Sequence, residues 1–399
     1  MISIHNPDRY MADLRQILSQ GRKRIGILIG AGAPTAIRVD EHNRLTELDG
    51  HPLIPDIAGL TDAVIDALTE KDRTTIDSLR DEIDEPINIE VILTRVRRLA
   101  QVVGDSRIHG LTGNDYEQLG QAICQAIGDK VRVSLPKGPN PFSQLVAWIA
   151  GTHRAHAVEI FTPNYDLLIE EAFERARVPY FDGFAGAHQP FFDAAGVSSD
   201  ELPARWSRVW KLHGSLGWRI VNSLVVRSGG RDTTELIYPD HLKYDQVTRL
   251  PYSALFERLR QFVSTPDTLL LSSGFSFRDA HICAILDEAL AVNTHTAILA
   301  FQHLPITDEE PASELAYARP NMSVYARDGA IISGVGGVWR PGQHANVDWL
   351  DIRRTFWRDF KADGSGGFLL GDFNMLAQFL ALTQAQQVVS QLPDEESDG

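Results

Sequence analysis

Four times along this chain a short apolar run stops abruptly at polar or glycine residues, and this recurrence constrains the fold more than any other feature. Arg24-Ile25-Gly26-Ile27-Leu28-Ile29 runs into Gly30-Ala31-Gly32-Ala33. Val158 to Phe161 runs into Thr162-Pro163-Asn164-Tyr165-Asp166, Val209 to Leu212 into His213-Gly214-Ser215, and Thr268 to Leu271 into Ser272-Ser273-Gly274-Phe275-Ser276. Short, nearly continuous apolar runs are the signature of strands buried on both faces. The segments around them have helical spacing: Leu167, Leu168, Ala172 and Phe173; Leu255, Phe256, Leu259 and Phe262; His281 to Leu290; Glu309 to Ala318. Strands alternating with helices specify an α/β fold, a doubly wound parallel sheet. In open sheets of this kind ligands bind at the carboxyl ends of the strands, which is where the four polar clusters fall.

The chain has 399 residues, which suits one large α/β domain with an insertion, or two domains. From Gly59 to about His156 the pattern is helical. Thr61 is placed to cap Val64, Ile65 and Leu68, Asn88 precedes Ile89, Ile92, Leu93, Val96 and Leu99, and Tyr116 to Ile127 and Phe142 to Ile149 repeat the three-four spacing. We therefore expect residues 1–58 and 157–399 to form a Rossmann-like domain and 59–156 an inserted helical subdomain. Arg95, Arg97 and Arg98 read as a solvated helix face, with an interaction surface as the alternative. Thr296 to Phe301 and Asn321 to Tyr325 read as further strands, the second as the last of the sheet. Trp218 to Tyr238 reads as short β segments, with turns at Ser228-Gly229-Gly230 and Tyr238-Pro239. Val347 to Lys361 reads as an amphipathic helix packed on the body through Leu350, Ile352 and Phe356, its Arg353, Arg354 and Arg358 otherwise facing a partner. Gly364-Ser365-Gly366-Gly367 reads as a hinge, Asp372 as the cap of a final helix through Leu382, and Pro393 to Gly399 as a disordered acidic tail.

A net charge of −15 argues against broad, sequence-independent nucleic-acid binding by this chain, which needs a basic face. Residues 1–20 lack a basic-then-apolar signal pattern and no apolar run approaches a membrane span, so the expectation is a cytoplasmic protein. The two cysteines, Cys124 and Cys283, cannot make a four-cysteine zinc site; buried, reduced thiols are expected.

Taken singly, each strand end has two readings. Gly30-Ala31-Gly32 lets backbone amides approach a phosphate or ring closely, or is a plain tight turn. Thr35 stands where a dinucleotide fingerprint has its third glycine, and residues 38–56 have no helical period. Asn164 and Asp166 are ligand groups or caps of the helix that follows, and His213 is a base or a structural histidine.

As a set in chain order, these residues resemble the sirtuin superfamily, in which a Gly-Ala-Gly loop, a Thr-x-Asn-x-Asp strand end, a His-Gly and a later Gly-x-Ser build one NAD pocket. The resemblance implies NAD contacts for Gly30, Ala31, Gly32, Ala33, Thr162, Ser273, Gly274, Phe275, Ser276 and Asp372. It implies that Asn164 places the attacking group at the nicotinamide ribose, that Asp166 fixes the pocket and that His213 is the catalytic histidine. Pro34 departs from the serine usual at its position, and Asp56, in Ile54-Pro55-Asp56-Ile57, is a looser correspondence. Gly274-Phe275-Ser276-Phe277-Arg278-Asp279-Ala280-His281-Ile282, Arg327-Asp328-Gly329-Ala330-Ile331-Ile332 and Gly371-Asp372-Phe373-Asn374 look like the sirtuin-like NADases of bacterial antiphage defence. More narrowly they resemble the subunit that pairs with a HerA-type DNA-translocating ATPase. That resemblance implies NAD depletion on infection, a large symmetric homo-oligomeric assembly with the ATPase and silence until triggered; no membrane partner is expected, since no apolar run approaches a span.

The chemistry suits these residue types. Nicotinamide leaves without protonation because its ring nitrogen starts out cationic, so the protein has to supply placement and charge complementarity. No metal is needed. Without the zinc module that sirtuin deacylases carry, water is the expected acceptor and the expected activity is NAD glycohydrolase. A deacylase or ADP-ribosyl transferase, and a non-catalytic NAD or ADP-ribose sensor that scaffolds a partner, are the alternatives.

Overall fold

The computed structural model describes residues 3–46, 50–82, 87–222, 224–228, 250–342, 347–359 and 366–389. The expected turns at Ser228-Gly229-Gly230 and Tyr238-Pro239 lie at or beyond the edge of these ranges, and the acidic tail lies outside them.

Ten strands form the main sheet: β1 (Ser3–His5), β2 (Arg24–Ile29), β3 (Glu159–Thr162), β4 (Tyr180–Phe181), β5 (Ser207–Lys211), β6 (Thr268–Ser273), β7 (Ala297–Phe301), β8 (Met322–Tyr325), β9 (Gly329–Ile332) and β10 (Val335–Trp339). Their order is β1-β10-β9-β8-β7-β6-β2-β3-β5-β4. The run from β8 to β4 is wholly parallel. β9 pairs antiparallel with β8 and β10, and β1 lies parallel to β10 at the edge. The sheet is thus doubly wound as expected, but Met322–Tyr325 is not its last strand. The Gly334 turn between β9 and β10, at φ +75°, folds a hairpin onto the parallel array.

Strand pleat divides the side chains between two layers. Ile25, Ile27, Ile29, Ile160, Val209, Leu269 and Leu271 pack with the helices Pro7–Ser19, Pro141–Gly151, Leu168–Ala176 and Phe373–Val389. Leu28, Phe161, Trp210, Leu270, Ile298 and Val324 pack on the other face with Tyr252–Ser264, Ala280–Val292 and Glu310–Ala318. Burial on both faces is why these strands read as unbroken apolar runs.

Between β2 and β3 the described residues hold five helices: Ile57–Ala67, Glu70–Arg80, Ile89–Val103, Gly113–Val131 and Pro141–Gly151. Their buried side chains, Val64, Ile92, Leu93, Ile123 and Phe142 among them, are continuous with the cluster on the first sheet face. The cap of the first helix is Asp56, whose Oδ1 accepts from the Gly59 amide at 2.8 Å. This corrects the sequence reading of Thr61: its hydroxyl donates to Ile57 O inside the helix and accepts from the Ile89 amide. Asn88 caps as expected. Arg95 pairs with Glu82 at 3.2 Å, and Arg97 donates to Cys124 Sγ.

The helix expected to reach Lys361 ends at Phe356, and Trp357–Asp359 pairs antiparallel with Gly366–Phe368. Gly366 and Gly367 are therefore strand residues rather than a hinge, with the Trp357 ring lying where a Gly366 Cβ would go. Arg353, read as a possible partner-facing cation, pairs with Asp8. Among the described residues no helix is long and apolar enough to cross a membrane.

Candidate active site

The sheet order puts β6, β2, β3 and β5 side by side, so the four polar carboxyl ends are consecutive neighbours. From β2 the chain passes to β3 and then to β4 at the sheet edge, steps back inward to β5, and crosses to β6 on the other side of β2. This reversal is a switch point, where loops leave in opposite directions and a crevice opens.

Hydrogen bonds tie the four ends together in sequence. At the β6–β2 junction Gly30 N donates to Ser273 O at 3.0 Å and Gly32 N to Gly274 O at 2.8 Å. At β2–β3 the Thr162 hydroxyl donates to Ile29 O at 2.7 Å and the Asn164 Nδ2 to Gly30 O at 3.1 Å. At β3–β5 Leu212 N donates to Thr162 O and Leu216 N to Tyr165 O, both at 2.9 Å. The circuit returns to the β6 loop through His213, whose Nε2 lies 3.0 Å from Asp279 Oδ2, with only 6% and 10% of the two side chains exposed.

Glycine is required where two loops touch. A Cβ on Gly30 would sit 2.2 Å from Gly274 O, and one on Gly274, at φ +66°, would sit 2.4 Å from Ala33 N. The Gly30, Gly32 and Ala33 amides all donate to protein carbonyls. The close approach is therefore loop to loop, and the expectation that these amides face a phosphate does not hold for these three. Thr35, at the position of the absent third glycine, folds its hydroxyl back onto Gly32 O at 2.7 Å. It closes a short 3-10 turn, Pro34–Ala36, instead of opening an α-helix.

Asn164 and Asp166 part company. Asp166 Oδ1 accepts from the Leu168 amide at 3.0 Å, the capping arrangement that was its plain alternative. Asn164 caps nothing; its amide nitrogen is spent on Gly30 O, which fixes the orientation of the carboxamide and turns Oδ1 to the other side. Beneath them the buried Lys211 ammonium donates to Asp166 O and lies 3.4 Å from Glu170 Oε1. Burial pushes the Glu170 carboxyl up to about 7, with Lys211 pulling the other way.

Phe275 is buried edge-on to Phe277 at 4.9 Å, and its carbonyl accepts from Gln302 Nε2 at 3.0 Å. Gly371 packs against Gln302 O so closely that a Cβ would sit 2.0 Å from it. Asp372 caps the last helix through Asn374 N at 2.7 Å, so it joins the site through this packing. Ala31 and Ser276 are exposed. Asp56 serves its own helix. Four buried side-chain atoms at the strand ends have no hydrogen-bond partner: Ser272 Oγ, Ser273 Oγ, Ser215 Oγ and His213 Nε2, whose 3.0 Å approach to Asp279 Oδ2 lacks hydrogen-bond geometry. Unsatisfied buried polar atoms are rare; the serine hydroxyls around one crevice mark a place where a polar ligand or water belongs.

Sequence reasoning passed over Asp279 and Lys211. A lysine inside the apolar run Val209-Trp210-Lys211-Leu212 was a legible sign of a buried charge needing partners. Asp279 carried the ordinary signature of a helix cap. Of the cysteines, Cys283 donates to Phe277 O at 3.1 Å and burial pushes its thiol up to about 12, which makes it unreactive.

These features define a doubly wound α/β protein with a polar switch-point crevice. Residues 158–321 match the family model described as a SIR2-like domain, a span that contains Asn164, Asp166, His213, Gly274, Ser276 and Asp279. No curated protein matches the chain. Among solved structures, one described as the structural basis for the mechanism and regulation of Sir2 enzymes is similar at 12% identity, covering 95% of this chain and 98% of that one, with a TM-score of 0.40. A histidine-to-asparagine mutant of a Sir2 homologue in complex with ADP-ribose is similar at 14% identity, covering 72% and 83%, with a TM-score of 0.28.

Proposed function

We propose that the chain is an NAD glycohydrolase that cleaves NAD+ to nicotinamide and ADP-ribose. The observation that carries the reading is the Asn164 carboxamide, locked through Nδ2 onto the glycine loop in a crevice that also holds His213. An amide oxygen fixed in this way can hold a water in line with a reacting carbon; placement of this kind is a large contribution to a reaction whose leaving group is already activated. In the proposed step the C1′–N bond breaks, its electron pair neutralising the pyridinium nitrogen, while the water oxygen bonds C1′. The water proton passes to His213. Gly274, Ser273 and Ser276 are the proposed ribose and phosphate contacts, the orphan Ser273 hydroxyl being the best supported. Water is the proposed acceptor because two cysteines cannot build the zinc module of the sirtuin deacylases.

The test is chromatography of NAD after incubation with the purified chain, alone and with a HerA-type ATPase. Nicotinamide and ADP-ribose should appear in at least one condition, and their rate of formation should fall roughly 10²–10⁴-fold, to a measurable remainder, with Asn164→Ala and with His213→Ala. Acetyl-ADP-ribose or modified protein would instead identify a transferase, and ligand-induced thermal stabilisation without product a sensor. The resemblance extends the proposal to an antiphage effector, assembled as a homo-oligomer with the ATPase and located in the cytoplasm. Mass photometry of the chain with and without the ATPase tests the assembly.

A further inference from the structure

We propose that Asp279 is the positioning residue for His213. Its carboxylate holds the imidazole across the mouth of the crevice with Nε2 carrying the proton, which leaves Nδ1 as the nitrogen that accepts a proton from the substrate water. The inference rests on the NAD-cleavage reading for its kinetics, but not for its geometry.

His213 follows β5 and Asp279 follows β6, and β2 and β3 lie between these strands. At about 4.8 Å per strand the two loops start about 14 Å apart, so the 3.0 Å contact between their side chains bridges loops that the sheet holds apart. The two carboxylate oxygens of Asp279 have separate tasks. Oδ1 accepts from the His281 and Ile282 amides, each at 3.0 Å, which fixes the group at the N-terminus of helix Ala280–Val292, where the helix dipole favours its negative charge. Oδ2 faces His213. Capping needs only the first oxygen; the second, buried against an imidazole, is unexplained by the helix. The Phe256 ring, 6.2 Å from the imidazole centroid, walls the histidine on another side.

A base held by a third group is the general arrangement of activated sites. The carboxylate fixes the tautomer, and it stabilises the imidazolium that forms when the proton arrives. His213 Nε2 has no other hydrogen-bond partner, which leaves the carboxylate 3.0 Å away as the group that faces it.

Asp279→Asn tests the proposal, since asparagine also caps a helix and only the charge is lost; Asp279→Ser, another capping residue, replaces it should the asparagine variant not fold. Steady-state NAD cleavage should show kcat reduced roughly 10- to 100-fold, part of the 10²–10⁴ that a general base supplies, with KM within about twofold. In a His213→Ala background the same substitution should cost less than about twofold, because a residue acting through His213 has nothing left to act on. Unchanged kcat, or effects that multiply in the double variant, overturns the proposal. Histidine-selective 15N NMR supplies a readout without turnover: the ring nitrogens of His213, assigned by loss of signal in His213→Ala, should shift in Asp279→Asn. If the wild-type protein cleaves no NAD but these signals shift, the glycohydrolase reading fails and the pairing stands; if they do not shift, the pairing fails.

Discussion

Asn164 is held by a hydrogen bond that an aspartate cannot make. Asp is as good a helix cap as Asn, so a capping role would make Asn164→Asp nearly silent. With Nδ2 donating to Gly30 O, the substitution instead sets a carboxylate oxygen against a carbonyl. It should destabilise the fold by roughly 1–3 kcal/mol in urea titrations and abolish NAD cleavage. The two residues of this strand end show how far sequence reaches at this scale. Residue type announces that Asn164 and Asp166 can each bond a nearby backbone amide, and Asp166 does so. That Asn164 reaches a carbonyl 134 positions away in the chain depends on which strand lies next to β3, about which local sequence says nothing.

Among the elements, the loops Gly30–Ala33 and Gly274–Ser276 behave as one unit, because each fills the space that the other's glycines leave open. Gly274→Ala puts a Cβ against Ala33 N at positive φ. It should cost roughly 1–3 kcal/mol by thermal or urea unfolding, and lower NAD cleavage even where the protein remains folded, since the β2 and β6 ends separate. Asp56→Ala is the contrasting case. It removes the cap of helix Ile57–Ala67, should cost about 1 kcal/mol and should leave cleavage per folded molecule unchanged. The Gly-x-Gly was legible in the sequence as a close approach. What it approaches was not, because a missing side chain reads the same whether the space is for a phosphate or for another loop.

At the scale of the whole molecule, the charges buried under the site make stability depend on pH. Glu170 is pushed up from an ordinary 4.5 to about 7 by burial, so the folded state binds its proton more tightly than the unfolded chain. The stability this contributes is complete below about pH 4.5 and is lost as pH rises through 7. Glu170→Gln should therefore remove part of the fall in unfolding free energy between pH 5 and pH 8, by roughly 1–3 kcal/mol, measured by urea titration at both values.

Several parts of the architecture were legible because they are local. Buried parallel strands write themselves as apolar runs, helices as three-four spacing, and strand ends as polar clusters; those patterns determined an α/β fold with its chemistry on one edge of a sheet. The edge strand β1, its neighbour β10, and the short pair Trp357–Asp359 with Gly366–Phe368 escaped notice; on β1 and β10 exposed positions such as Ile4, Val335 and Val338 break any clean pattern. The tertiary structure alone decided the strand order, and with it the neighbours of Asn164, the packing of Gly274 on Gly30 and the meeting of His213 with Asp279. These are contacts between groups far apart in the chain. Their partners are selected by the packing of two helical layers on a sheet, a global balance of buried surface that no short window of residues contains.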